Sequence, residues 1–365
     1  MGNFELTKMA VNMFCPGNVV QLDDAGLPSI LVYIPAFKLS DVLTGADDST
    51  HPAFIVNGKE IPGFYYSKYE NIEHNSNAYS LPGEDPKAGI TLDYAREICE
   101  NKGVGWHLST AAEWAAIALW CRKNGFLQKG NNNIGKDRLE TVGKAIPTYY
   151  NTDGTIGRVA TGTGPLTWSH DGTPSGIWDM NGNVWEWQAG LRTVWGELQI
   201  LANNDAADPD NPQNATSICW KAINAADGSL VEPESKTTDI TVKSSGKTVK
   251  LDYIDSVWTY STNITNVLTA EQAHPLGNLK CDSSIGSATK MLLRALALLP
   301  DEGAAASEYE GDVACWHNGA NERFIHRGGS WRNTSNAGVF SVYGNYSRTA
   351  GNTNVGFRAA YIPNI

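Results

Sequence analysis

The residues that could carry chemistry in this chain are seven histidines, six cysteines and one acid that stands between two tryptophans. The cysteines are scattered, and no pair has CxxC spacing, so a zinc cluster is not expected and a disulfide framework is not established. His170 precedes Asp171 in a glycine-rich turn, which gives no basis for a Ser-His-Asp arrangement. We interpret the histidines as surface or hydrogen-bonding residues rather than metal ligands.

The acid between two indoles is Glu186, flanked by Trp185 and Trp187. In an extended strand the two indoles point to one face and the carboxylate points to the other. A buried acid must be paired, so we interpret Glu186 as a structural anchor rather than a catalytic acid. Arg358 is expected to partner a buried carboxylate, because a guanidinium binds a carboxylate with two hydrogen bonds.

A second candidate site is the segment 330–354, SWRNTSNAGVFSVYGNYSRTAGNTN, which holds five Asn, four Ser, three Thr, three Gly and two Tyr. Its only charges are Arg332 and Arg348, in a chain whose net charge is -11. Such composition is typical of turn-rich loops. It is also the composition that antibody-like contact surfaces favour, so both interpretations stay open at this point.

The charge balance of 28 basic against 39 acidic residues, without a basic stripe, argues against a nucleic-acid partner. No apolar run reaches the length of a membrane span, so membrane insertion is not expected. The N-terminus lacks the basic region and apolar core of a secretory signal.

The elements that must position these residues have short, recognisable boundaries. Residues 1–28 are predicted to form a separate lead or attachment segment, followed by a strand over 29–34 and a hairpin whose turn is Asn57-Gly58. Helices are predicted over 91–103 and from Thr110, where Glu113 completes a capping box. Trp114 and Trp120 are expected as core aromatics of that second helix.

The remainder of the chain is predicted to be mostly irregular or in short strands. Residues 124–175 lack periodicity and read as surface loops. Residues from about 200 to 300 are predicted to be an insertion, with a hairpin turn around Ser245-Gly246 and a helix ending at Pro300. Short strands close the chain, which together indicates an α+β protein with few helices, many short antiparallel strands and long irregular loops.

Three motifs in order give a first resemblance: GIWDMNGNVWEW at 176–187, RGGSW at 327–331 and VGFRAAY at 355–361. This combination resembles the C-type lectin fold of the formylglycine-generating-enzyme (sulfatase-modifying factor) type, and the resemblance covers a domain of residues 29–365. It implies a scaffold role for eight motif residues: Asn183, Trp185, Glu186, Trp187, Gly328, Gly329, Trp331 and Arg358.

The resemblance also provides a test for catalysis. The family's oxidases hold copper with a cysteine pair shortly after RGGSW, whereas residues 332–340 contain no cysteine. The related iron-dependent sulfoxide synthases use a His-x-x-x-His-x-Glu set, and no histidines here have that spacing. The chain is therefore not expected to be an enzyme. A divergent metal-dependent oxidase stays as the alternative, and a carbohydrate-binding module is a weaker one. No cofactor is expected, and a structural calcium is left open.

A second resemblance covers residues 327–358. This stretch is similar to the variable region of diversity-generating-retroelement proteins, related to phage receptor-binding proteins of the major tropism determinant type. In that family a template is copied with errors at adenines, and Asn codons become Ser, Tyr, Gly, Ala or Arg codons. The resemblance implies a hypervariable ligand-binding site on a fixed scaffold, with a cell-surface or other macromolecular ligand. It further implies a phage-virion or bacterial setting, and leaves homo-oligomerisation open.

Frame and contact positions can be separated within this region. Apolar residues and glycines such as Trp331, Val342 and Phe357 are expected in the frame. Ser341 and Tyr343 flank Val342 with period two and are expected to share the outward face. The full set of positions predicted to be displayed and variable is Ser330, Arg332, Ser341, Tyr343, Gly344, Tyr346, Ala350 and Gly351.

Overall fold

The computed structural model describes residues 3–365, and side chains from Phe4 onward. The described chain forms five α-helices, which are α1 (Asn3–Phe14), α2 (Leu39–Val42), α3 (Leu92–Glu100), α4 (Ala111–Lys123) and α5 (Ser287–Ala295). None of the helices in this part of the chain combines the length and apolar content needed to cross a bilayer.

The strands are short and numerous, as expected. In chain order they are β1 (Asn18–Leu22), β2 (Pro28–Pro35), β3 (Ile55–Val56), β4 (Lys59–Glu60), β5 (Gly63–Ser67), β6 (Ile72–His74), β7 (Asn77–Tyr79), β8 (Trp106–Leu108), β9 (Trp185–Val194), β10 (Glu197–Ile200), β11 (Lys221–Ile223), β12 (Leu230–Val231), β13 (Ser245–Ile254), β14 (Val257–Asn263), β15 (Gln272–Pro275), β16 (Lys280–Cys281), β17 (Val313–Trp316), β18 (Glu322–Gly328), β19 (Gly338–Tyr346), β20 (Val355–Phe357) and β21 (Ala359–Tyr361). Few helices beside many strands confirm the α+β class.

Two sheets organise these strands. The smaller has the order β1-β2-β5-β21-β8, so the last strand of the chain lies between early ones. The larger has twelve strands along β15-β17-β19-β18-β9-β10-β13-β14-β16, with β11 and β20 beside β10 and β9, and β12 beside β11. Most neighbours are antiparallel, but β17 with β19, β20 with β9 and β14 with β16 are parallel. The segment that follows RGGSW therefore supplies an interior strand, β19.

The predicted lead segment 1–28 is only partly separate. Met1 and Gly2 lie outside the described residues, and α1 forms a helix that the sequence reading did not predict. Strand β1 pairs with β2 along its whole length, from Asn18 opposite Val32 to Leu22 opposite Pro28. The boundary at residue 28 is therefore wrong, because it cuts through the hairpin of β1 and β2 in the smaller sheet.

Both predicted central helices are present, although α3 ends at Glu100 and not at residue 103. The Thr91 side chain accepts a hydrogen bond from the Tyr94 amide at the start of α3. At α4, Thr110 accepts from the Glu113 amide while Glu113 accepts from the Thr110 amide, which is the expected capping box. Trp114 is fully buried as predicted, but Trp120 is 37% exposed and is not a core residue.

The region 200–300 does not form a unit of its own. Strands β11 to β16 join the larger sheet, and the side chains of Leu251, Trp258 and Leu293 belong to the main apolar core. The hairpin turn lies at Asp255-Ser256, both with positive φ, and not at Ser245-Gly246, where β13 begins. Helix α5 ends at Ala295, earlier than predicted, because Ala297 adopts a left-handed conformation that stops the helix before Pro300.

Candidate functional site: a polar segment on an aromatic bed

The scaffold motifs meet at one buried ion pair. Arg358 Nε donates to both oxygens of Glu186, at 2.9 and 2.8 Å, and both side chains are fully buried. The guanidinium also donates to the carbonyl oxygens of Trp178 and Lys68, at 2.5 and 3.1 Å. The buried carboxylate that Arg358 binds is thus Glu186, and the pair anchors β9 to the C-terminal segment.

More acid than base surrounds this pair. Burial, partly offset by Arg358, raises the pKa of Glu186 to about 7. Burial also raises the pKa of Asp179 to about 6, and that of Glu70, which lies near both acids, is raised by burial and by the Asp179 charge. Three buried carboxyl groups therefore share one guanidinium, which makes Arg358 the more critical member of the pair.

The turn before β9 depends on Gly182 and Asn183. A Cβ on Gly182, which has φ +82°, would lie 2.2 Å from the Asn131 carbonyl oxygen, so only glycine fits. Asn183 Nδ2 donates to a carboxylate oxygen of Glu70 at 2.5 Å, and its Oδ1 accepts from the Val159 amide at 2.9 Å. The turn thus ties the irregular segment 124–175 to β9.

The two glycines of RGGSW allow a comparably close approach, as expected. Gly329 has φ +98°, and a Cβ there would lie 2.3 Å from that of Ala337. Trp331 is buried next to them, and its carbonyl oxygen accepts from the Ile134 amide at 2.8 Å. These contacts hold the start of the polar segment, residues 330–354, against the scaffold.

Two tyrosines in the middle of the polar segment pack with three rings of the scaffold. We call these five rings the aromatic bed: Trp185, Trp187, His326, Tyr343 and Tyr346. Ring centroids are 4.5 Å apart between Trp185 and Tyr343, 5.0 Å between Trp185 and His326, and 4.8 Å between His326 and Tyr346, which stack. The bed forms because His326 pairs with Trp187 of β9 and Tyr343 of β19, so their side chains share one face.

His326 is the functional residue that sequence reasoning missed. It is buried, and this burial lowers its pKa to about 3, so the imidazole is neutral. In FIHR two apolar residues precede two polar ones and all four side chains are buried, so period-two alternation gave no signal for His326. Among the described contacts, its Nδ1 has no hydrogen-bond partner.

The predicted displayed positions divide into three groups. Arg332 and Gly351 are exposed, Tyr343, Tyr346 and Ala350 are half-buried, and Ser330, Ser341 and Gly344 are buried. Display is therefore wrong for the last three. The physical reason is that both faces of β19 are covered over most of its length, since five consecutive residues from Gly338 are buried, so period-two alternation does not put alternate residues in water.

Each of the three buried positions has a structural contact. Ser341 Oγ accepts from the Val313 amide at 3.1 Å and donates to the Asn336 carbonyl oxygen at 2.9 Å. Ser330 Oγ donates to Asn333 Oδ1 at 2.6 Å and closes a turn. A Cβ on Gly344 would lie 2.3 Å from the Trp316 ring. These positions belong to the frame.

The exposed end of the segment is held by Arg348. Its guanidinium makes hydrogen bonds to Glu322 at 2.8 Å and to Asp93 at 2.9 Å, and donates to the Gln213 carbonyl oxygen at 3.1 Å. Asn352 Nδ2 then donates to the Tyr346 hydroxyl at 2.5 Å. Residues 349–353 are thereby positioned over the edge of the aromatic bed.

A further series of contacts links this loop to Arg332. Arg158 donates to the Thr353 carbonyl oxygen at 3.1 Å, and its guanidinium lies 4.5 Å from the Tyr149 ring. Arg332 donates to Asn151 Oδ1 at 3.0 Å. We call Arg332, Tyr343, Tyr346 and residues 349–353 together the display surface. It contains the predicted positions that the structure leaves exposed or half-buried.

Metal ligation has no counterpart in this surface. Across residues 3–365, no group of three or more His, Cys, Asp or Glu side chains is placed to hold a metal ion. The six cysteines, all of which lie in that range, are unpaired.

Comparison with known proteins gives distant similarities only. No protein-family model matches the chain, and no curated protein does. Among solved structures, it is similar to the "Major Tropism Determinant M1 Variant", with a TM-score of 0.32 and 11% identity, covering 94% of this chain and 71% of that chain. The U1 and P3c variants have TM-scores of 0.29 and 0.30 at 10% identity, with the same coverage. Scores this low carry no argument about function, which is therefore argued from the residues.

Proposed function

We propose that this chain is a ligand-binding protein that displays a hypervariable C-terminal site on a C-type lectin scaffold of the formylglycine-generating-enzyme type. The observation that carries the proposal is the division of the segment 330–354. Its frame positions are buried in an interior strand, while Arg332, Gly351 and their neighbours form an exposed, anchored surface. A fixed frame under changeable side chains is what such a site requires.

The chemistry of the display surface suits recognition rather than reaction. Tyr343 and Tyr346 offer rigid ring area, while Asn352 and Thr353 offer adaptable donors and acceptors. The anchors at Arg348 reduce the conformational entropy that binding would otherwise cost. Glu186, the acid nearest the motif core, is occupied by Arg358.

The proposed ligand is a macromolecule on a cell surface, and the proposed carrier is a phage virion or the bacterium that encodes the chain. Variation would arise by adenine-directed copying from a template repeat. The frame explains how variation is tolerated: changes at exposed positions leave the buried contacts of Ser341 and Gly344 intact.

Sequencing the DNA around the gene tests this proposal. We expect an imperfect copy of the codons for about residues 327–358 beside a reverse-transcriptase gene, with differences only where the template has adenine. The differing codons should include those for Arg332, Tyr346 and Gly351. Absence of such a copy, or differences spread over bases other than template adenines, would overturn the proposal.

A further inference from the structure

A polar cavity is lined by Arg192 of β9, Gln199 of β10 and the two loops that flank β11 and β12. Its volume is about 520 Å³, which lies in the range of roughly 300–1,000 Å³ that small-molecule sites occupy. Hydroxyl groups are frequent in its lining, where they belong to Thr216, Ser217, Ser235, Thr237 and Thr238. The cavity therefore offers many donors and acceptors to a polar ligand.

Arg192 supplies a positioned cationic donor to this cavity. It is 4% exposed, and its guanidinium lies 4.3 Å from the Trp220 ring. Its Nε donates to Gln199 Oε1 at 3.0 Å, while Nη1 donates to the Ala215 carbonyl oxygen at 3.1 Å and to Glu322 at 2.6 Å. Among the described contacts Nη2 has no hydrogen-bond partner, so a guanidinium that is held on two sides keeps one NH₂ group for a ligand.

Ser235 is a second polar group of the lining that lacks a partner. It is 1% exposed, and its hydroxyl forms no hydrogen bond among the described contacts. Its backbone is held, because the amide donates to Glu197 at 3.0 Å and the carbonyl oxygen accepts from Gln199 Nε2 at 2.7 Å. A buried hydroxyl without a partner is unfavourable, so its place in a cavity wall indicates a group that a ligand satisfies.

Lys236 adds a positive charge to the same wall. Its side chain is exposed and, among the described residues, forms no ion pair. The acids close to it in the sequence are engaged elsewhere: Glu232 pairs with Lys221, and Asp239 accepts from the Lys236 amide and lies 3.8 Å from Lys243. The cavity therefore favours an anionic group, although the net charge of the chain is -11.

Glu322 connects the cavity to the display surface. Its Oε1 accepts from Arg192 Nη1 at 2.6 Å and from Arg348 Nη2 at 2.9 Å. Arg348 also donates to the carbonyl oxygen of Gln213, which lies close to the cavity loop in the sequence. One carboxylate thus positions both the arginine of the cavity and the arginine that anchors residues 349–353. A chain-like ligand that lies on the display surface reaches the cavity within a few residues of its own length.

We propose that this cavity is an invariant subsite for a hydroxylated oxyanion, namely an acidic sugar residue of the macromolecule that the display surface binds. The anionic group contacts Arg192 Nη2 and Lys236, and the sugar hydroxyls contact Ser235 and the neighbouring threonines. Ile218, which is 83% exposed on the lining, packs against the apolar face of the sugar. The inference rests on the proposed ligand-binding function, but the cavity residues lie outside the segment 327–358 and so do not depend on its diversification.

Titration calorimetry of the full chain with glucuronate, glucose 6-phosphate and glucose tests the subsite. We expect at least one of the two acids to bind about tenfold or more tightly than glucose, because only the acids gain charge-assisted hydrogen bonds. The acid that binds more tightly identifies the anionic group as a carboxylate or a phosphate. Inorganic phosphate is measured beside them, since a site for an adventitious ion only would bind it as tightly as the sugar acids.

Two variants separate a ligand contact from a structural role. Lys236→Gln should weaken binding of the acid by about tenfold, whereas Lys59→Gln, which changes an exposed lysine outside the cavity, should not. Ser235→Ala should weaken binding by about threefold or more without lowering the urea midpoint of unfolding, because the hydroxyl that it removes has no partner in the free protein. A serine with only a structural role would lower the midpoint and leave binding unchanged.

The outcomes that contradict the subsite differ from those that contradict the proposed function. Failure of both acids to bind, equal binding of glucose and the acids, or phosphate binding as tight as that of the sugar acids would overturn the subsite. Arg332→Tyr, which alters only the display surface, should leave binding of the acid unchanged. The template repeat beside the gene is a separate observation, so a missing repeat contradicts the diversified site and an unbound acid contradicts the cavity.

Discussion

Substitution of Ser341 by tyrosine is the sharpest test of the division between frame and display surface. Tyrosine is a residue that diversification would introduce, and Ser341 was predicted from sequence to be displayed. The structure instead buries it completely, with its hydroxyl between the Val313 amide and the Asn336 carbonyl oxygen. Ser341→Tyr must therefore lose both hydrogen bonds and place a ring in a closed interior strand.

The magnitude follows from these two effects. Leaving the buried Val313 N–H without an acceptor costs about 1–3 kcal/mol. Forcing extra side-chain volume into a packed core costs about 1–3 kcal/mol more. We therefore expect the free energy of unfolding to fall by about 2–6 kcal/mol, a large part of the roughly 5–15 kcal/mol that holds a native protein.

Urea denaturation followed by circular dichroism measures this loss. The matched control is Arg332→Tyr, which introduces the same residue at an exposed position and should change the free energy of unfolding by no more than about 0.5 kcal/mol. If Ser341→Tyr unfolds at the same urea concentration as Arg332→Tyr, the assignment of Ser341 to the frame is wrong.

Three further predictions concern the scaffold. The free energy of unfolding should fall by about 1.4 kcal/mol less in His326→Phe than in the wild type between about pH 7.5 and 5.5. The reason is that a histidine with a folded pKa of about 3 destabilises the protein as the pH falls below its unfolded pKa of about 6.5. Urea denaturation at both pH values measures the difference, and the variant of an exposed histidine, His74→Gln, should keep the wild-type slope. Arg358→Met should lower the free energy of unfolding by about 3–5 kcal/mol near neutral pH, and by less at lower pH, because the carboxyl groups left without a cation take up protons. Glu186→Gln should lower it by less than Arg358→Met does. Equal losses for the two variants at every pH would contradict the sharing of one guanidinium by several carboxyl groups. Thr110→Ala should cost about 1–2 kcal/mol in thermal or urea unfolding, and Thr110→Ser should restore most of it.

Local sequence signals predicted the parts of the fold that local physics determines. The capping box at Thr110 and Glu113 works within one helical turn, and the Asn57-Gly58 turn needs only two residues with positive φ. The sequence also indicated that Glu186 needs a partner and that Arg358 binds a buried carboxylate, and the structure shows that the two meet. In each case the sequence itself contained the partner or the constraint.

Non-local pairing explains what the sequence could not provide. Nothing near residues 200–300 indicates that their strands add to the sheet that holds β9. Likewise, nothing in the sequence of β19 shows that both of its faces are covered. Alternation in a strand distinguishes two faces only when one of them is in water. Ser341 and Gly344 were misplaced for this reason.

The aromatic bed limits how far the display surface can vary. A Cβ on Gly351 would make an ordinary contact, at 3.4 Å, with the Gly89 carbonyl oxygen, and Arg332 is exposed, so both positions accept other side chains. Tyr343 and Tyr346 also cover His326, and small residues there would open the bed to water. Diversity at these two positions should therefore favour large or aromatic residues, while diversity at Arg332 and Gly351 should not. Under the proposed function, selection for ligand binding would act on all four positions, whereas selection for folding would act mainly on the two tyrosines. The difference in diversity between the two pairs of positions would therefore separate the two pressures.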